Sequence, residues 1–290
     1  MSLSEIAGRL TWMGYWQMMR RYHRFEVRAW PLRDDDDGFK GVDIVRGCPG
    51  AAMIVGFHGK PGARDLIMLQ TLLFTEHGER THAIAHDIMF RLPVVRGLAE
   101  GMQLIPRNRD AIAAAVARGE KLVIAPGGIR EAWASYRDRY KVQWQSLGYL
   151  KLALRYRLPI IPVAGVGSGS AFYGAYDAYR MWKPAWERYG LPEGTGVWVG
   201  VGALGVWPLS PPFPARISQY VGAPISLADH GLGEPDLHER FDDPAVLQKA
   251  EAFHNYLSGR VQQMLDDGRA AARNRAPDGE PRTWVDQISN

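Results

Sequence analysis

The chain has a single cysteine, Cys48, in 290 residues. It can close no internal disulfide and cannot build a thiolate zinc site; this is compatible with a reducing compartment. It also lacks any uncharged apolar run of the roughly 18 residues that a spanning helix needs. The longest candidate, Gly196 to Leu209, is short and rich in glycine. No basic, apolar, small-residue order of the kind that marks a signal peptide opens the chain. There is no internal repeat, and no basic–aromatic repeat or nucleic-acid reader motif, so nucleic acid is not an expected partner. Charge excess is modest. The net charge is +4, with 46% hydrophobic and 23% charged residues, ordinary for a soluble globular chain long enough to bury a core.

What charge there is sits at one end. Residues 1–33 carry six arginines (Arg9, Arg20, Arg21, Arg24, Arg28, Arg33) against Glu5 and Glu26, a surplus equal to the whole net charge of +4. Ser4 to Glu26 has few breakers and predicts a helix with Ser4 at its N-cap. At 100° per residue Trp12, Tyr15, Trp16, Met18, Met19, Tyr22 and Phe25 share a broad arc, with Arg20, Arg21, Arg24 and Arg28 opposite. Two readings follow: a helix lying in an anionic lipid interface through residues 4–28, or a helix packing its apolar face on its own domain.

Beyond that end, strands and helices alternate. Val42 to Arg46 reads as a short strand, Ala51 to Phe57 as a buried one, and Leu66 to Phe74 as a helix. Ala83 to Met89 and Gly101 to Ile105 read as strands. Asp110 to Arg118 reads as a helix capped by Asp110, and Val123-Ile124-Ala125 as a strand. Tyr149 to Tyr156 is a predicted helix, Pro159 to Val166 a buried strand, Trp198 to Trp207 a strand or surface loop, Arg216 to Val221 a strand and Pro244 to Leu265 a helix. The order predicts an α/β sandwich, a mixed or mostly parallel sheet flanked by helices. The division read from it is an amphipathic N-terminal helix over 1–33, one domain over 34–267 and a polar, disordered tail over 268–290. The run Asp34 to Asp37 reads as a solvated loop.

Two strand ends carry chemistry. In IVGFHGKPGARD, His58 follows a buried strand between glycines, with Asp65 seven positions on. Imidazole takes a proton near neutral pH, and glycines let a substrate approach the backbone; the bland alternative is a histidine in a tight turn. In VIAPGGIREAW, Gly127 and Gly128 would expose backbone N–H groups, with Arg130 and Glu131 behind them. Such a loop can hold an anion or a polarised acyl oxygen, or it is a glycine turn with a surface salt bridge. A third stretch, His82 to Asp87, could ligate a metal with His82, His86 and Asp87, but no further ligand cluster accompanies it, so no metal is expected.

The order HG…D, IPRNRDAI…G, VIAPGGIREAW, LGYLKLALRYRLPIIPV, FPARISQYVGAPI resembles the glycerolipid acyltransferase superfamily over roughly residues 40 to 228, most nearly its diacylglycerol and monoacylglycerol acyltransferase branch. The resemblance implies acyl transfer from an acyl thioester such as acyl-CoA to a hydroxyl of a lipid acceptor, with no cofactor. It implies His58 as general base and Asp65 as its orienting acid. Gly59, Gly127, Gly128, Arg130 and Glu131 fall at the substrate, and Arg107 and Arg109 at a second block suited to phosphate. The superfamily usually separates its histidine and aspartate by four residues; here six intervene. The implied setting is cytoplasmic and peripheral to a membrane. Two competing readings are an esterase or thioesterase of the α/β-hydrolase type, whose G-x-S-x-G elbow Ser168 and Ser170 do not match, and a non-catalytic lipid-surface module.

Overall fold

The computed structural model describes residues 3–33, 36–60, 62–85, 90, 99, 101, 103–174, 176–207 and 209–274, with side chains from residue 13 onward. Helices are α1 (Leu3–Tyr22), α2 (Lys40–Gly47), α3 (Arg64–His77), α4 (Arg109–Ala117), α5 (Gly128–Ala132), α6 (Gly148–Tyr156), α7 (Ala178–Tyr189) and α8 (Pro244–Asn274). Strands are β1 (Glu26–Trp30), β2 (Met53–Gly56), β3 (Thr81–Ala85), β4 (Leu104–Pro106), β5 (Lys121–Ile124), β6 (Ile160–Val166), β7 (Val201–Gly202), β8 (Gly205–Val206) and β9 (Ser218–Gly222). Seven strands form one sheet in the order β1-β9-β6-β2-β5-β3-β4, and β7 and β8 form a separate hairpin.

Strands β6, β2, β5, β3 and β4 run parallel, with Met53 beside Leu122 on one side and Ile160 on the other. β9 reverses against β6, and β1 follows β9. The expected mixed, mostly parallel sheet is therefore the observed one. β2 is buried along its length because both faces are covered, which is why it reads as a continuous apolar run. Met53 and Val55 point into a core shared with α4, α6 and α8; Ile54 points into one shared with α1, α2 and α3. The loops after β2, β5, β6 and β4 all leave at one edge of the sheet. So does the long insertion between β6 and β9, since antiparallel pairing sets Ser218 opposite Val166.

Several local expectations are corrected. Val42 to Arg46 is helical, not extended: Val42 and Val45 are buried one turn apart, a period of 3.6 that β-branched composition had masked. The first helix stops at Tyr22, and Arg24 adopts a φ of 45°. Glu26–Trp30 then becomes a sheet strand because Val27 and Ala29 alternate inward. The cap of α4 is Asn108, whose side chain accepts from the Ala111 amide at 2.8 Å, not Asp110. α8 runs on through residues 268–274, where Gly268 seats flat on the Tyr220 ring and its carbonyl accepts from the Tyr220 hydroxyl at 3.4 Å. Residues 275–290 lie outside the described residues, as do Asp34, His86, Asp87 and the side chain of Trp12.

The apolar arc of α1 is divided. Trp16 and Met19 are buried in the core against α3, whereas Met18 and Tyr22 stand 54% and 37% exposed. Arg20 pairs with Glu76 of α3 at 2.6 Å. Removing the Trp16 side chain should therefore destabilise the lipid-free protein by about 3–5 kcal/mol, as for other buried aromatics. Urea unfolding of Trp16→Ala measures it, and a loss under about 1 kcal/mol would mean that this packing does not hold α1.

Candidate active site

β2 delivers His58 to the sheet edge, partly exposed, and its neighbours are fixed by the loop after β5. The His58 amide donates to Glu131 Oε2 at 2.8 Å. The ring donates from Nδ1 to the Gly59 carbonyl at 3.1 Å, which fixes the tautomer and leaves the Nε2 lone pair free. Among the described residues nothing is hydrogen-bonded to Nε2. Burial pulls the imidazole pKa down to about 4, against the pull of the Gly59 carbonyl, so the ring is neutral near pH 7.

Glu131 is fully buried and both its oxygens accept backbone N–H groups, Oε2 from His58 and Oε1 from Gln143 at 2.8 Å each. Burial pushes its pKa up to about 8, and nearby Asp65 adds to the rise. A carboxylate so engaged braces two loops; it is not presented to a ligand. Gly127 is required above it, since a Cβ there would fall 2.0 Å from Glu131 Cδ. Arg130 donates from Nε to Gln143 Oε1 at 3.1 Å and stacks over Tyr179 at 5.5 Å. The Gly128 amide, expected to be exposed, instead closes a turn onto the Ala125 carbonyl at 3.0 Å.

Asp65, in the first turn of α3, is fully buried, and neither carboxylate oxygen has a hydrogen-bond partner of good geometry. It makes no hydrogen bond or ion pair with His58. It lies directly beneath the adjoining Gly59, where a Cβ would come 2.5 Å from Oδ1, and against Gly165 of β6, where one would come 1.8 Å from Oδ2. Burial raises its pKa to about 7, although the amides of Asp65 and Leu66 favour the ionised form.

Residues that the motifs did not single out complete the arrangement. Lys60 is fully buried and its Nζ donates to the carbonyls of Ala134 and Ser135; burial, with Arg139 nearby, lowers its pKa to about 7. A lysine between glycine and proline after a buried strand was the available signal. Ser168 packs on Gly59 but donates to the Gly165 carbonyl at 3.4 Å, and Ser170 pairs with the Tyr140 hydroxyl at 3.1 Å. Among the described residues neither serine is hydrogen-bonded to His58, so these two do not form the Ser–His pair that the hydrolase reading requires. His82 is bound to Glu120 at 2.8 Å.

The structure thus brings together His58, Gly59, Asp65, Gly127, Gly128, Arg130 and Glu131. Arg107 and Arg109 do not join them. They are exposed beyond β4, three strands from β2, or about 14 Å at the usual interstrand spacing.

With this geometry in view, residues 46–166 match the family model described as Acyltransferase. That span holds β2 to β6 and all the loops just described except the Ser168 turn. A chicken (Gallus gallus) protein named "DGAT1/2-independent enzyme synthesizing storage lipids" is 25% identical over 217 residues, 74% of this chain and 59% of its own length. The human protein of the same name is 24% identical over 74% of this chain and 61% of its own. An uncharacterised Mycobacterium tuberculosis protein is 27% identical over 89% of this chain and 67% of its own. Among solved structures, a 1-acyl-sn-glycerophosphate acyltransferase, PlsC, from Thermotoga maritima aligns over 92% of this chain and 84% of that one, with 14% identity and a TM-score of 0.45. Residues 46–166 are thus similar to acyltransferases, and the chain spans about three fifths of the length of the vertebrate relatives it matches.

The Glu131 brace has a pH signature. Its folded pKa, near 8, stands above the ordinary 4.5. Its contribution to stability is therefore full below about pH 4.5 and is lost as pH rises toward 8. Replacing it with glutamine removes that dependence. The stability difference between wild type and Glu131→Gln, measured by urea unfolding, should shrink steadily from pH 5 to 8; a difference that stays flat would contradict a raised pKa at this position.

Proposed function

We propose that the protein is an O-acyltransferase that moves a fatty acyl group from acyl-CoA to a hydroxyl of a glycerolipid or lysophospholipid. The observation that carries this reading is His58, its Nε2 unprotonated at the sheet edge and its backbone amide hydrogen-bonded to Glu131 of the PGGIRE loop. His58 takes the acceptor hydroxyl proton as its oxygen attacks the thioester carbonyl. The developing oxyanion sits toward the Gly127 amide, which its unbranched neighbour leaves approachable. Collapse expels the thiolate, and the imidazolium returns the proton to sulfur. No acyl-enzyme and no metal or other cofactor is invoked; acyl-CoA is a co-substrate.

Asp65 acts in this scheme without touching the ring. Its charge, a residue away beneath Gly59, favours the imidazolium that forms in the transition state. Arg107 and Arg109 serve a phosphate on a long substrate, such as the donor's nucleotide part, since they stand too far off for a group held at His58. The setting proposed is peripheral to a membrane on its cytoplasmic side, with exposed Arg21 and Arg24 toward anionic lipid. Among the described residues no helix is long and apolar enough to cross a bilayer.

Incubation with labelled palmitoyl-CoA and a panel of glyceride and lysophospholipid acceptors, read by mass spectrometry, tests the activity. His58→Ala should lower turnover by about 10²–10⁴-fold with its circular dichroism unchanged. Thioester cleavage with water as the sole acceptor, or no turnover at all beside intact lipid binding, would overturn the proposal.

The Asp65 role has its own readout. Because burial raises this carboxyl to about 7, its charge builds as pH rises through neutrality, while His58 is already neutral. The kcat/KM profile should climb to a plateau above about pH 7. In Asp65→Asn that limb should vanish and the plateau fall; an unchanged limb would assign the titration to another group.

A further inference from the structure

Among the described residues, ten of the fifteen large apolar side chains that stand exposed lie between Tyr173 and Leu209. This is the insertion that leaves β6 and returns at β9. Leu204, at the tip of the β7–β8 hairpin, is 85% exposed, and Leu209, just past its second strand, is 96% exposed; Val201 and Val206 pair across the hairpin, and Met181 and Val197 are exposed in the same insertion. Monomeric soluble proteins rarely gather so much apolar surface without a partner for it.

The insertion is not loosely held. Tyr173 and Val201 exchange both backbone hydrogen bonds at 2.8 Å, Trp182 donates to the Val197 carbonyl at 3.1 Å, and the Val199 amide donates to the Tyr176 hydroxyl at 3.0 Å. Beneath, Phe172, Ala178 and the nearly sealed Trp198 form a separate small core, with Trp133, Trp182 and Trp207 packed on it. The tryptophan rings thus fill the inside while aliphatic tips face out.

We infer that this surface docks on a phospholipid bilayer, with the β7–β8 hairpin as the inserted tip. Charge favours that occupant. From Gly190 to Leu209 the only charged residue is Glu193, whereas α7 alongside presents Arg180, Lys183 and Arg188, all exposed. Arg180 and Lys183 also form loose local pairs with Asp177 and Glu187, at 3.4 and 3.6 Å. An apolar tip beside a cationic shoulder, with tryptophan and tyrosine between them, matches the order of a membrane interface. Location favours it too. The Ala178 amide donates to the Trp133 carbonyl at 3.0 Å, and Gly194 lies against Ile129 of α5, where a Cβ on Gly194 would fall 3.2 Å from Ile129 Cδ1. The patch is therefore fastened to the element that carries Arg130 and Glu131, and docking it brings the mouth of the candidate site to the lipid. α1 is the poorer anchor, since Trp16, Met19 and Arg20 are committed to α3 and the core. The identity of the surface rests on the acyl-transfer reading only for its choice of lipid as partner.

Flotation with phosphatidylcholine and phosphatidylcholine–phosphatidylglycerol vesicles, without any acyl donor, tests the inference apart from catalysis. Wild type and His58→Ala should float alike. Leu204→Asp and Leu209→Asp should each lower partitioning by about tenfold or more, whereas Arg21→Glu with Arg24→Glu should change it less. Both leucines are exposed, so near-ultraviolet circular dichroism should stay native. Cys48 is buried, so a polarity-sensitive thiol dye on Leu204→Cys reports from the tip and should shift blue on vesicles. Unchanged partitioning in the aspartate variants or an unmoved dye would overturn the inference. So would sedimentation showing a wild-type dimer that Leu204→Asp dissolves, with no vesicle binding; that result would make a second copy the occupant. If acyl transfer failed but flotation behaved as expected, the reaction would be wrong and the surface right.

Discussion

The candidate site depends on one buried carboxyl group holding two loops from opposite sides. Glu131 accepts the His58 amide through one oxygen and the Gln143 amide through the other. Backbone amides released by strand ends must find acceptors when water is excluded, and a side chain from the next parallel strand's loop is the nearest source. Lys60 repeats the device in reverse, donating from the β2 loop to carbonyls just after α5. The β2 and β5 loops are thus tied by an acid on one and a cation on the other. Each tie is out of solvent, where a hydrogen bond is stronger and its loss more disruptive.

This clasp bears on the wide spacing of His58 and Asp65. Six residues between them let the chain leave β2, turn through Gly62 and Ala63 at φ of 74° and 52°, and start α3. A loop that long would hold neither group in register by itself. Pinned at His58 and again at Lys60, it folds back so that Gly59 rests on the Asp65 carboxylate. Asp65 then makes no direct hydrogen bond to the imidazole, and the Gly59 carbonyl fixes the ring's tautomer instead.

The sheet was largely legible from the sequence because its central strands are buried on both faces. β2, β5 and β6 appear as short runs of valine, isoleucine and methionine ending at glycine or proline, and α3 and α6 as unbroken periodic segments. Legibility failed where composition and period disagreed. Val42 to Arg46 is rich in β-branched residues, yet its inward positions are one helical turn apart. Glu26–Trp30 was absorbed into the preceding helix because the break at Arg24 is a backbone conformation that no residue type there announces. At the site, the motifs located His58, Asp65 and the Gly127–Glu131 segment, but not what each side chain faces. Whether Glu131 meets a ligand or a backbone amide is decided by residues 58 and 143, which only the fold brings together. Arg107 and Arg109 looked adjacent because their strand is adjacent in the motif order; in the sheet β5 and β3 intervene.

The same separation of order from position explains the insertion. Read linearly, Gly196 to Leu209 is an apolar stretch too short and too glycine-rich to span a bilayer, and it suggests little. Folded, its glycines permit a tight hairpin, its tryptophans turn inward to build a small core, and its leucines and valines are left outside. Burying Leu204 or Leu209 within this chain would require moving the hairpin off Trp198 and breaking the paired bonds between Tyr173 and Val201. The fold therefore keeps these tips exposed by the interactions that stabilise the insertion itself. Since the insertion leaves and rejoins the sheet at the edge that presents His58, its exposed tips and the imidazole are carried by loops of one sheet edge, and the pairing of β6 with β9 holds the insertion there.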